Sequence, residues 1–143
     1  MIKYISEKEV DEFVSKQENV HETHKTFREW KKHILLISQF WPHCKKFYKG
    51  DGKFLGYYGE KLEAIYWYNK IDDEIYDGFL MSSKPGAGLK LARYLENEVD
   101  WKENWSLCEK KYLKYNERLG YKAMAVELKN DEEWILLWRQ KKY

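Results

Sequence analysis

Residues Glu74 to Val99 constrain this chain more than any other stretch: EIYDGFLMSS, then KPGAG, then LKLARYLENEV. They read as a strand, a glycine-rich turn and an amphipathic helix. Alternation puts Ile75, Phe79 and Met81 on one face of the strand and Tyr76 and Leu80 on the other, as in a strand buried on both sides. In the helix, Leu89, Ala92, Leu95 and Val99 form one apolar stripe. Pro85 keeps Lys84 out of the α region, and Gly86 and Gly88 flank Ala87. Two glycines here let successive backbone N–H groups turn toward one spot at the helix N-terminus, a nest suited to a phosphate or pyrophosphate. A glycine-rich connection that binds nothing is the alternative, because short glycine patterns arise often by chance.

Two familiar glycine loops are excluded. A Walker A loop needs GxxxxGK[ST], and Gly78 is followed five residues later by Ser83. A dinucleotide fingerprint needs a third glycine, and Leu91 occupies that position.

At 143 residues the chain is long enough for one domain, 1–143, with a real core. It is 43% hydrophobic and 35% charged, the balance of a soluble globular protein. HILLISQFW is the longest apolar run and is too short and too interrupted to span a membrane. The start, MIKYISEKEV, lacks a signal-peptide pattern, so a cytoplasmic location is expected. A net charge of +2, with dispersed basic pairs, argues against an electrostatic nucleic-acid binder. Cys44 and Cys108 are isolated and read as reduced thiols. His21 and His24 form HETH, which lacks HExxH spacing; only His43 and Cys44 could complete a zinc site, and ordinary polar histidines explain the pattern better.

Before the nest, Ile2 to Ile5 reads as a strand and Ser6 with Glu9 as a capping box for a helix carrying Val10, Phe13 and Val14. A break near Asn19 precedes a helix with Phe27, Trp30, Ile34 and Ile37 on its stripe, stopped at Trp41-Pro42. Strands are expected at Cys44–Lys49 and Lys53–Tyr58, joined by Gly50-Asp51-Gly52, and at Leu62–Asn69 inside a sheet. WKENWSLC after Asp100 is either a strand or a loop ending in a capping box at Ser106 and Glu109. CEKKYLKYNERLG reads as a helix closed by Gly120, and Tyr121–Leu128 with Trp134–Arg139 as a final hairpin. On that hairpin Trp134, Leu136 and Trp138 share one face, and Ile135 and Leu137 the other.

That order, with SKPGAG after a central strand and YNERLGYK before a terminal hairpin, resembles the GNAT N-acetyltransferase superfamily. The resemblance covers nearly the whole chain in topology and only short stretches in motif. Ser83, Lys84, Pro85, Gly86, Ala87 and Gly88 occupy the family's [QR]xxGx[GA] phosphate loop, with serine in the leading position. Gly120-Tyr121 matches the family's Gly-aromatic pair, but Asn116 stands where the family has tyrosine, with Tyr115 beside it. The resemblance implies an α+β fold with a mostly antiparallel mixed sheet of about six to seven strands and about four helices. It implies acetyl-CoA as co-substrate in a cleft between splayed strands. The pyrophosphate would lie on Gly86–Gly88 and the pantetheine arm along Leu80, Met81 and Ser82; Asn116 joins this cofactor-binding set.

The expected chemistry is acyl transfer to the amine of a small molecule, or to a lysine or N-terminus of a protein. A lysine-like amine has a pKa of about 10.4 and must be neutral to attack, which a carboxylate can arrange. Glu74 and Asp77 on the nest strand are candidates, as are Glu63 and Glu60 on its neighbour; each is otherwise an ordinary surface acid. A backbone N–H near Leu80 or Met81 would stabilise the oxyanion. Tyr112, one turn before Asn116, is the better candidate to protonate the thiolate, and Tyr115 the second; either is otherwise a packed tyrosine. A second reading is a GNAT-fold protein without catalysis, a structural or interaction component like the small GNAT-like proteins of tailed phages. Ser83, Asn116 and the seven tryptophans and twelve tyrosines favour it. It predicts an exposed aromatic patch, for a protein partner or a homo-oligomer, with Trp41, Trp101 and Trp105 at its centre, whereas Trp30 and Trp67 belong to the core.

Overall fold

The computed structural model describes residues 1–18, 20, 24–38, 52–129 and 131–141. The break at Asn19, His21, the Trp41-Pro42 stop, Trp41 as a patch residue, His43, Cys44, the strand at 44–49 and the turn at 50–51 lie outside them.

Among the described residues seven strands form one sheet in the order β1-β2-β3-β4-β5-β7-β6. They are β1 (Ile2–Ile5), β2 (Lys53–Tyr58), β3 (Leu62–Ile71), β4 (Glu74–Ser82), β5 (Glu103–Glu109), β6 (Lys122–Lys129) and β7 (Glu132–Gln140). Every neighbouring pair is antiparallel except β4–β5, which is parallel and is bridged by α3 (Ala87–Glu98). Among the described residues this is an α+β fold with four α-helices and a mixed, mostly antiparallel sheet.

α1 (Glu7–Ser15) and α2 (Phe27–Ser38) cover one face. Their stripes are those expected: Val10, Phe13, Val14, Phe27, Trp30, Ile34 and Ile37 join a core with Ile65, Trp67, Phe79 and Leu136. The capping box at Ser6 and Glu9 forms in both directions. Asp11 accepts the Phe27 N–H at 2.9 Å, which pins the entry of α2 to α1. On the opposite face α3 packs over β2, β3 and β4, and α4 (Leu113–Arg118) lies beside it over β5 and β7.

Three expectations are corrected. First, β4 does not alternate cleanly. Tyr68 pairs with Asp77 and Trp67 with Phe79, so Gly78 is a bulge without a partner of its own on β3. The extra residue reverses the parity beyond it: Tyr76, Phe79 and Met81 face α1 and α2, while Ile75 and Leu80 face α3. A Cβ at Gly78 would meet the Trp30 ring at 3.2 Å, a tight contact that the ring would have to give way to. Second, the buried face of α3 is Gly88, Leu91, Ala92 and Leu95; Leu89 is only half-buried, and Val99 has left the helix. Third, the helix expected from Cys108 starts later, since Cys108 and Glu109 end β5 and α4 begins at Leu113; of the two readings left open for WKENWSLC the strand holds, from Glu103 on, with Ser106 buried in it.

The aromatic patch is corrected as well. Trp101 and Trp105 are 1% and 8% exposed, as deep as Trp30 and Trp67. Trp101 sits at a strand entry but donates its indole N–H to Leu95 O at 3.0 Å beneath the end of α3. The terminal hairpin has the two-faced pattern expected: Trp134, Leu136 and Trp138 pack toward α1 and α2, and Ile135 and Leu137 toward α4.

Candidate ligand cleft between β4 and β5

β4 and β5 stay paired for three rungs, Glu74 with Glu103, Ile75 with Asn104 and Tyr76 with Trp105, and then part. Both strands continue, β4 to Ser82 and β5 to Glu109, so a gap opens through the sheet. The cavity there measures about 540 Å³, within the range of small-molecule sites. It reaches both faces. Toward α3 and α4 it is lined by Asp77, Leu80, Ser82, Gly88, Ser106 and Cys108. Toward α1 and α2 it meets Val20, His24, Phe79, Met81, Glu109 and Trp134.

A buried polar network fixes the point of divergence. Asn104 donates to Asp77 Oδ2 at 2.7 Å, and Ser106 donates to Asp77 Oδ1 at 2.6 Å. The Tyr121 hydroxyl reaches Asn104 Oδ1 at 2.6 Å and Asp77 Oδ2 at 3.1 Å. Arg139 donates from Nε to Asn104 Oδ1 at 2.8 Å and lies over the Tyr121 ring at 4.6 Å. Burial, and then the negative charge of Asp77, hold the Tyr66 and Tyr121 hydroxyls well above the usual phenol range. Burial lowers the Arg139 pKa, but Tyr121, Tyr66 and Asp77 outweigh it and raise the net value.

At the far end of β4 the glycine turn has the expected geometry. Gly86 is the N-cap of α3 in the left-handed region, φ 83°, and a Cβ added there would meet nothing within 4 Å. Lys90 N–H closes the first helical turn on Gly86 O at 3.3 Å, which leaves the amides of Gly88 and Leu89 at the open end of the helix. Ser83 turns its hydroxyl back onto Glu63 O at 3.2 Å, and its own N–H takes the same carbonyl at 2.8 Å. Lys84 pairs with Glu63 at 2.9 Å, which ties the turn to β3 and raises the Lys84 pKa. Ala87 is buried beneath the turn.

The sequence-based candidates separate on this map. Leu80, Met81, Ser82, Gly88, Asp77, Tyr112, Tyr115 and Asn116 all line the cavity. Tyr112 and Tyr115 are 53% and 42% exposed, and burial raises the Tyr115 pKa. Asn116 donates to Tyr112 O at 2.9 Å, so its amide braces the turn that carries Tyr112. Glu74 is not in the cavity. It begins β4 at the paired end, roughly 25 Å of strand from the glycine turn, and accepts the Tyr76 hydroxyl. Asp77 is 4% exposed and committed to the network on the α3 side, which leaves it no room to serve an acceptor from the other face. Glu63 is held by Lys84, and Glu60 lies in an exposed turn.

Two further residues line the cavity, Cys108 and His24, in the sequence an isolated thiol and an ordinary polar histidine. Cys108 is buried, and burial pushes its thiol up to about 12. His24 lies in the wall facing α1 and α2, edge-on to Trp134 with ring centroids 6.1 Å apart. Only the register of β7 brings Trp134 opposite His24, and no local motif signals it.

No family model and no curated protein sequence matches the chain. Solved structures do match over its length. One is the ribosomal-protein-S18-alanine N-acetyltransferase of Escherichia coli, with TM-score 0.70, 12% identity, and 100% of this chain and 94% of that one covered. A GNAT-family acetyltransferase of Bacillus cereus gives 0.61 at 11% identity, covering 100% and 98%. A spermidine N-acetyltransferase variant of Vibrio cholerae gives 0.62 at 8% identity, covering 99% and 95%. At such identities the likeness establishes the fold.

Proposed function

On this GNAT fold, we propose that the chain is an acyl-CoA-dependent N-acyltransferase that moves an acetyl group from acetyl-CoA to an amine. The observation that carries the reading is the parting of β4 from β5 after three rungs, with the open N-terminus of α3 at the end of the same strand. The residues fit the co-substrate. Gly86 has room above its backbone where a phosphate must approach, and the amides of Gly88 and Leu89 supply donors to an anion. Beyond Tyr76 the β4 edge that faces the cleft has no pairing with β5 among the described residues, so Leu80–Ser82 offer backbone groups to an extended pantetheine arm.

When bound, acetyl-CoA supplies the activated acyl group. The chain's part is to hold and polarise it. A backbone N–H at Leu80 or Met81 takes the developing oxyanion, and the Tyr112 or Tyr115 hydroxyl returns a proton to sulfur. A thiolate of pKa about 8.5 departs without a strong acid, so the asparagine at position 116 is compatible with turnover. The acceptor is a small-molecule amine or a protein lysine or N-terminus; the neighbours named above act on a protein alanine and on spermidine. In this reading the enzyme works in the cytoplasm, where its free thiol stays reduced.

Isothermal titration with acetyl-CoA and with free CoA tests this. Saturable binding of both is expected. No affinity at millimolar concentration would remove the enzyme and leave the non-catalytic reading.

A further inference from the structure

We infer that Glu109 anchors a second ammonium of the acceptor, so that the acceptor is a diamine with about four methylenes between its nitrogens. The inference rests on the acyltransferase reading. The cavity opens on both faces of the sheet. The α3 face carries the glycine turn and receives the co-substrate, so the acceptor enters from the α1 and α2 side.

Glu109 stands in that second wall. It ends β5 opposite Trp134 of β7, beyond Trp105, the last β5 residue paired with β4. Its side chain is 15% exposed, and a carboxylate that deep needs a cation. Lys111 supplies one at 3.2 Å, from a side chain that is 65% exposed. An alkylammonium on a stem lying mostly in water therefore already occupies this carboxylate. An incoming ammonium of the same chemistry takes Lys111's place without leaving Glu109 unpaired. Glu18, exposed at the same wall, adds a second negative charge. Between Glu109 and the vertex the wall is apolar, with Phe79, Leu107 and Trp134 all buried.

The run of β5 sets the spacing. A co-substrate arm that leaves the glycine turn and pairs with Leu80–Ser82 delivers its thioester past Leu80, beside Phe79 and Gly78. That level faces Leu107, since a Cβ at Gly78 would lie 3.9 Å from the Leu107 backbone. Leu107 and Glu109 are successive residues on one face of β5, roughly 6–7 Å apart along the strand. Two nitrogens joined by an extended four-carbon chain are about 6 Å apart. With one nitrogen on Glu109, the other reaches the thioester. A monoamine fills one of these positions and not both.

Putrescine and butylamine, which differ by one amino group, test the assignment when each is titrated into the CoA-loaded protein and assayed with acetyl-CoA. The diamine should bind tighter by about tenfold or more. Glu109→Gln should erase that preference and leave CoA affinity as in the wild type. Lys111→Met should lower KM for the diamine, because the internal competitor is gone. An ion pair that served stability alone would give no such gain. Equal affinity for the two amines, or no binding of putrescine, overturns the inference. So does a preference that survives Glu109→Gln, or a KM for the diamine that is unchanged or raised in Lys111→Met. Absent CoA binding in the wild type would instead remove the acyltransferase reading itself, and this inference with it.

Discussion

Asn104 donates to Asp77 at 2.7 Å across the β4–β5 seam, one position from where the strands part. With its other amide atom the same side chain accepts from Arg139 at 2.8 Å, so one neutral residue joins a buried anion to a buried cation. Asn104→Leu keeps the volume but leaves both charges short of a partner. A loss of about 3 kcal/mol in urea unfolding is expected. A midpoint unchanged from wild type would show that the charges find other partners.

Gly86→Val tests the glycine turn. The space above Gly86 is empty, so the cost comes from the backbone: φ is 83°, where a β-branched residue is strained by about 1–2 kcal/mol. CoA affinity should drop tenfold or more, about 1.4 kcal/mol, while the protein still unfolds cooperatively. Affinity equal to wild type would place the pyrophosphate elsewhere.

Stability should decline on the alkaline side. Burial holds the Cys108 thiol up at about 12 against an ordinary value of 9.0, and Tyr66 and Tyr121 are raised above 10.0. Each group is more readily ionised in the unfolded chain, so its contribution is intact below the unfolded pKa and is lost as pH climbs toward the folded one. Melting temperature should therefore fall progressively above about pH 9, and Cys108 should alkylate far more slowly than a free thiol at pH 8. A flat melting profile to pH 11 would contradict this.

Deleting residues from Trp134 onward removes β7, which lies between β5 and β6 and carries Trp134, Ile135, Leu136 and Leu137 into two cores. The truncated chain should fail to fold in solution. Cooperative melting near the wild-type temperature would mean the hairpin is an appendage.

Much of this architecture could be read from the sequence, and the exceptions share a cause. Ser6 with Glu9, the stripes of α1 and α2, Gly120 after α4 and the two-faced β7 depend on neighbours within a turn or a rung, and they were legible. The faces of β4 were not, because the bulge at Gly78 is a matter of its register against β3, which no local pattern carries. Asp77 and Glu74 are two similar acids three residues apart, yet one lies inside the cleft and the other at its closed end; the rung at which β5 departs decides that. That His24 lines the cleft was not legible for the same reason, since the Trp134 ring against which it packs arrives from β7.

The seam between β4 and β5 also bears on how the molecule assembles. The β2–β3, β3–β4 and β6–β7 pairings join strands adjacent in the chain, so each closes a short loop. The parallel rungs must wait for the whole crossover through α3. Loop-closure entropy thus makes the β4–β5 seam the pairing expected to form last, and the strand ends that border the cleft are expected to open early in native-state hydrogen exchange.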